Sequence, residues 1–189
     1  MGTNKKTSKR NVSLAAIIFI FLVLMGILQF GFGLQLFIFG LNPYFLWLIL
    51  LIILILSPLF YSTPSPAKKY IIIKVIYAIF ATIIILSGIF FYLMGFSDAK
   101  YFSFKNPSGN KTLVVSERSI LLSGNSIFYV KKYGIFIKDI NQSISTDDGF
   151  RPFSTNHYSI EWADDSTAII RYDFGNGYGE WFTTTVNLK

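Results

Sequence analysis

The chain is 189 residues long, 52% apolar and 18% aromatic, with 17 Lys/Arg against 10 Asp/Glu and no cysteine. The apolar excess is too large for an ordinary soluble domain, and the missing thiols exclude disulfides, thiolate metal sites and cysteine nucleophiles. The net charge of +7 is not a nucleic-acid footprint: residues 1–97 contain no acid and carry Lys5, Lys6, Lys9, Arg10, Lys68, Lys69 and Lys74, whereas residues 98–189 hold ten charges of each sign.

The chain therefore divides into a three-span membrane region, 1–97, and a soluble domain, 98–189. The first span is expected over about 12–33, since ~20 apolar residues cross ~30 Å of hydrocarbon. The basic stretch before it looks like the start of a signal peptide. The apolar run, however, exceeds the ~7–15 residues of a signal core and no small-residue cleavage site follows, so it reads as a retained anchor. Gly31, Gly33 and Gly40 make its exit irregular, and Leu34–Leu41 is expected to be a frayed helix end or an interfacial turn. The second span, about 43–61, opens at Asn42-Pro43, a good helix start, with Tyr44, Trp47 and Tyr61 at aromatic-belt positions. The loop 62–69 contains Pro64 and Pro66. The third span is expected over about 71–95, with Lys74 snorkelling back to the nearer interface.

Both basic clusters favour the cytoplasm, and the connection between the first two spans is uncharged. The expected topology is a multi-pass protein of the cell membrane with a cytoplasmic N-terminus and an extracytoplasmic C-terminal domain. No ionisable residue lies mid-span, so a proton or ion pathway within one copy is not indicated. Gln29 and Gln35 are either pore or partner contacts or, by the plainer reading, interfacial residues near a helix end. No GxxxG pattern specifies a helix dimer.

From Ser97 onward the apolar period changes to that of strands. Runs are expected at Thr112–Glu117, Ser126–Lys132, Gly134–Lys138, Tyr158–Trp162, Thr167–Phe174 and from Phe182 to Leu188. Turn residues separate them, among them Pro107–Asn110, Ser123–Asn125, Asp164–Ser166 and Gly175–Gly177. Six or seven strands in about 90 residues predict a small antiparallel all-β domain, a meander or a sandwich.

Two stretches carry a resemblance. Asn106-Pro107-Ser108-Gly109-Asn110-Lys111-Thr112-Leu113-Val114-Val115, followed later by Ile160-Glu161-Trp162-Ala163-Asp164-Asp165-Ser166-Thr167-Ala168-Ile169-Ile170, resembles small membrane-anchored proteins of Gram-positive bacilli. Their pattern is an SPxGK-T-hydrophobic start and a later W-DxxT-hydrophobic strand. The resemblance covers residues 100–189 and departs from the pattern at Asn106 and in the order Asn110-Lys111. It implies location and fold, not a chemistry. The bias of Lys over Arg, with abundant Ile, Phe and Asn, fits an AT-rich bacterial genome.

Candidate site residues are few. His157, the only histidine, is a conceivable base, but no GxSxG elbow accompanies it. Asp147-Asp148-Gly149 and Asp164-Asp165-Ser166 are carboxylate pairs, but their composition is that of turns and EF-hand spacing is absent. No metal or cofactor is expected. Phe150-Arg151-Pro152-Phe153 combines apolar and cationic side chains in a long loop, the composition of a binding hot spot. Phe150, Arg151 and Phe153 are therefore the candidate contact residues. The alternative is that both phenylalanines tuck into the sheet and Arg151 pairs with an Asp. The function expected is binding or accessory work at the cell envelope without catalysis. The partners would be the lipid bilayer and another membrane protein or a cell-wall polymer. A regulatory or immunity-type subunit acting through its spans is the first alternative, and an envelope hydrolase using His157 or the Asp residues is the second.

Overall fold

The structure, a computed structural model, describes residues 3–60, 68–120 and 122–188. Helix α1 covers Thr3–Gly26 and continues as a π-helical turn over Ile27–Gly31. Helix α2 covers Pro43–Leu56, closing in a 3-10 turn at Ser57–Phe60, and α3 covers Lys68–Gly95. All three are long and apolar enough to cross a membrane. The proline-containing connection predicted at 62–69 lies mostly outside the described residues. Helix α2 starts where the sequence says it should: the Asn42 side chain accepts from Tyr44 N at 3.0 Å, and Pro43 occupies the first turn. Tyr77 Oη donates to Ile55 O at 2.6 Å, and Lys74 Nζ reaches Leu59 O at 3.4 Å, toward the end of α2.

The segment Leu34–Leu41, expected to be a frayed helix end or an interfacial turn, begins as a strand and turns only at 39–40. β1, Leu34–Leu36, lies between α1 and α2, with Gly33 and Gly40 at positive φ on either side. Three residues carry no strand signal of their own; the edge they join decides their conformation. The other strands are β2 Lys100–Lys105, β3 Thr112–Ile120, β4 Ser123–Lys132, β5 Phe136–Thr146, β6 Tyr158–Asp164, β7 Thr167–Asp173 and β8 Trp181–Asn187. β2 escaped the sequence reading, and β5 runs eight residues beyond its predicted end. It does so through Asn141, at φ 56°, whose N–H is held by Asp139 Oδ1 at 2.7 Å, beside a register shift against β4.

The strands form two antiparallel sheets, ordered β1-β5-β4-β3-β2 and β6-β7-β8. Both edges of the larger sheet are the strands joined directly to membrane helices. β1 sits between α1 and α2, and β2 follows α3. Alternation along β3 assigns the faces. Leu113 and Val115 point to the smaller sheet and, with Phe128, Val130, Ile144, Ala168, Ile170 and Val186, form the core of a sandwich. Val114 points the other way into a second cluster with Tyr129, Ile137 and Phe37, the last contributed by the connection between α1 and α2. On that same face Arg118 donates to Gly95 O at 3.2 Å, at the end of α3. Asn42 Nδ2 donates to Phe96 O at 2.6 Å, and Tyr44 stacks on Phe96 at 4.1 Å. The larger sheet thus lies between the smaller sheet on one face and, on the other, the start of α2 and the end of α3.

At one end of the sandwich Asn106, 3% exposed, ties three segments together. Its Nδ2 donates to Ser108 Oγ at 2.9 Å, Asn110 Oδ1 at 2.8 Å and Asp165 O at 2.9 Å, and its Oδ1 accepts from Lys111 N at 3.1 Å. The two stretches that carry the family resemblance therefore meet at this side chain. Asn106→Asp aims a carboxylate oxygen at acceptor atoms. It is expected to lower stability by about 1–3 kcal/mol, read as an earlier thermal transition of the full chain in detergent. An unchanged transition would show that the network contributes nothing.

Burial in the second cluster pushes the Tyr101 phenol from 10 up to about 12, and the Tyr129 phenol upward as well. A raised folded pKa contributes stability that is complete below the unfolded value and is lost as pH rises through the folded one. The domain is expected to loosen between pH 10 and about 12, and Tyr101→Phe to weaken that alkaline dependence. Intrinsic fluorescence against pH checks it.

Candidate functional site

After β5 the chain must cross from one sheet to the other, and residues 147–157 make the crossing. Asp148 and Gly149, at φ 46° and 66°, turn the backbone. Thr146 Oγ1 donates to Phe150 O at 2.6 Å, Asp147 N to Phe174 O at 2.9 Å and Gly149 N to Leu122 O at 2.9 Å. The Phe150 ring covers Gly175, where a Cβ would fall 2.3 Å from Phe150 Cβ, so only glycine fits. Arg151 forms an ion pair with Asp98, just after α3. Phe153 is 1% exposed and packs among Phe102, Phe104, Phe128 and Tyr158.

The three candidate contact residues are therefore neighbours in space, but their side chains are occupied. Phe153 presents no surface to a partner, Phe150 is half-buried on Gly175, and Arg151 is spent on Asp98. Phe153 and Arg151 follow the alternative that the sequence held open, a phenylalanine tucked inward and an arginine paired with an aspartate, while Phe150 is only half-buried.

The residue that organises the crossing was not singled out in the sequence. Glu117, fully buried on the inward face of β3, accepts from Phe153 N and Ser154 N, both at 2.8 Å, and from Ser154 Oγ at 2.5 Å. A carboxylate in a sandwich core persists only when donors replace its water, and here the turn at 152–156 supplies them. The one signal available in sequence is the alternation itself: Glu117 continues the inward series Leu113, Val115.

The other candidates are placed on turns and on the surface. His157 Nδ1 lies 3.5 Å from Asp173 Oδ2, with its ring against Phe150 at 5.6 Å. Asp147 Oδ1 accepts from Asp148 N, and Asp164 Oδ1 accepts from Ser166 N at 2.6 Å and Ser166 Oγ at 2.9 Å. Those bonds to Ser166 hold the Asp164 carboxyl below its usual range. Among the described residues no group of three His, Cys, Asp or Glu gathers as metal ligands would. Gln29 is answered within the membrane region, where its Oε1 accepts from Trp47 Nε1 at 3.0 Å.

A different surface is open. The outer face of β6-β7-β8 is turned away from the larger sheet. It carries a shallow hollow of about 290 Å³ lined by Tyr158, Ser159, Arg171 and Trp181. Register places Ser159 opposite Arg171 and Asp173 opposite Trp181. Trp181 is 49% exposed and Tyr178, in the preceding glycine-rich turn, is 86% exposed. Among the described residues Arg171 makes no ion pair.

Comparison with known proteins finds no family model, no curated protein and no solved structure that matches this chain.

Glu117→Leu leaves the buried Phe153 N–H and the part-buried Ser154 N–H without their acceptor, and an unsatisfied buried donor costs about 1–3 kcal/mol. The expected result is a loss of about 3 kcal/mol or more and faster proteolysis within residues 147–157. Resistance equal to that of the parent would show that the carboxylate does not hold the crossing.

Proposed function

We propose that this is a multi-pass membrane protein whose β-sandwich, outside the cytoplasm, binds an anionic polymer of the cell envelope without catalysing a reaction. The observation that carries the reading is Arg171, without an ionic partner among the described residues, beside the half-exposed Trp181 on the outer face of the smaller sheet. A guanidinium fork matches carboxylate or phosphate, and an aromatic face supplies contact area to a ring or chain lying along it. The orientation rests on charge: the seven cations of residues 1–97 lie near the N-terminus, between the second and third spans, or, for Lys74, near the start of the third span, and the connection that supplies β1 has none.

Two measurements test this. With no native cysteine, Ser145→Cys and Ser65→Cys report each side of the membrane separately. On intact cells a membrane-impermeant maleimide is expected to label the first and not the second. The reverse pattern places the sandwich in the cytoplasm and ends the proposal. Sedimentation with purified cell-wall polymer is expected to carry down the parent protein, and Trp181→Ala with Arg171→Gln to reduce retention at least about tenfold, as the loss of a hot-spot pair does.

A further inference from the structure

A second hollow lies where the sandwich meets the membrane, and it has a different chemistry. Its volume is about 400 Å³, and its walls include Met25 and Leu28 of the first span, Leu36 of β1, Trp47 of α2, and Ile135 and Phe136 at the β4–β5 turn. The two polar side chains that line it, Gln29 and Trp47, bond to each other at 3.0 Å. The hollow opens along α1, whose Phe21 and Leu24 both line it and are exposed on the helix surface. It is therefore continuous with the surface that lipid chains cover.

Two lysines are ladder neighbours of residues that line it. Pairing places Lys138 opposite Leu34 and Lys132 opposite Phe136, so both lysines share the sheet face that supplies Leu34, Leu36 and Phe136. Farther along the sheet this face carries Val130 toward the smaller sheet, and at the β1 edge it meets α1, where Lys138 Cε lies 3.9 Å from the place of a Cβ on Gly33. Among the described residues neither makes an ion pair. The neighbouring acid, Asp139, belongs to the opposite face and accepts from Asn141 N. Phe30, Phe32, Phe39 and Tyr133, in the segments next to β1 and in the β4–β5 turn, are between 63% and 97% exposed, as aromatic anchors at headgroup depth are.

We infer that this hollow binds one anionic phospholipid, an acyl chain lying against Leu36, Trp47 and Phe136 and the phosphate held by Lys132 and Lys138. The size is that of a small-molecule site, ~300–1,000 Å³. A partner helix, about 10 Å across and 5.4 Å per turn, would place only about one turn in it, and an apolar helix would leave both lysines without a counter-charge. The site does not depend on which side of the membrane the sandwich occupies, so it stands or falls apart from the polymer-binding reading.

Native mass spectrometry of the full chain in detergent, titrated with phosphatidylglycerol or phosphatidylcholine, tests it. One retained phosphatidylglycerol is expected, bound about tenfold or more tightly than phosphatidylcholine, since each lysine near an anionic headgroup contributes on that scale. Lys132→Gln with Lys138→Gln should abolish the preference. Lys131→Gln, on the other face of β4, should leave it intact. Leu36→Trp should reduce retention of both lipids. Equal binding of the two lipids overturns the proposal, as does a preference that survives the double variant or falls equally with Lys131→Gln. A dimer that carries no lipid overturns it in favour of a second copy.

Discussion

The structure depends on the pairing of a three-residue strand from the membrane region with the sandwich. β1 forms the edge of the larger sheet beside β5, and the opposite edge, β2, follows α3 almost at once. A soluble domain on a single tether would tumble relative to its anchor. Here the sheet is held at both edges, and its helix-facing side is sealed by Phe37 and by Arg118 on Gly95. The pairing also manages the edges, since a short β1 and a β2 adjoining a membrane helix offer little template to another chain.

Fixing one sheet leaves the other to be docked. The smaller sheet is joined through the core cluster, through Asn106 at one end and through the crossing at 147–157. The two polar joints follow one logic: a side chain removed from water is matched by several partners, amide with oxygens at Asn106 and carboxylate with N–H groups at Glu117. Arg151 extends the crossing to Asp98, so the same loop that joins the sheets also touches the exit of the third span. The surface left open is then the outer face of the smaller sheet, which is where the proposed ligand contacts fall.

Much of this was legible in the sequence. Three spans follow from hydropathy length, and their near boundaries from Pro43 and the glycines. The strands β6, β7 and β8 follow from alternation and from the turn at 175–177. What was hidden is tertiary. Leu34-Gln35-Leu36 has no strand signal apart from the edge it meets. β2 alternates Tyr101, Ser103 and Lys105 with Lys100, Phe102 and Phe104, but it begins within five residues of α3, where a span end was the stronger signal. The crossing looked like a contact surface because Phe-Arg-Pro-Phe has the same composition in a hot spot as in a buried joint; only the inward carboxylate of Glu117 distinguishes them. Arg171 and Trp181 were invisible as a pair because ten residues and a turn separate them, and only the β7–β8 register makes them neighbours.

The central claim is the β1–β5 pairing, and the absence of cysteine makes it directly measurable. Residues directly opposite in an antiparallel pair lie about 4.5–5.5 Å apart, within the ~4.4–6.8 Å that a disulfide spans. Leu36→Cys with Phe136→Cys should cross-link quantitatively under mild oxidation in membranes, giving a faster-migrating band that reductant removes. No cross-link at this pair, or a stronger one between Leu36→Cys and Lys138→Cys, would contradict the register and the doubly held sheet with it.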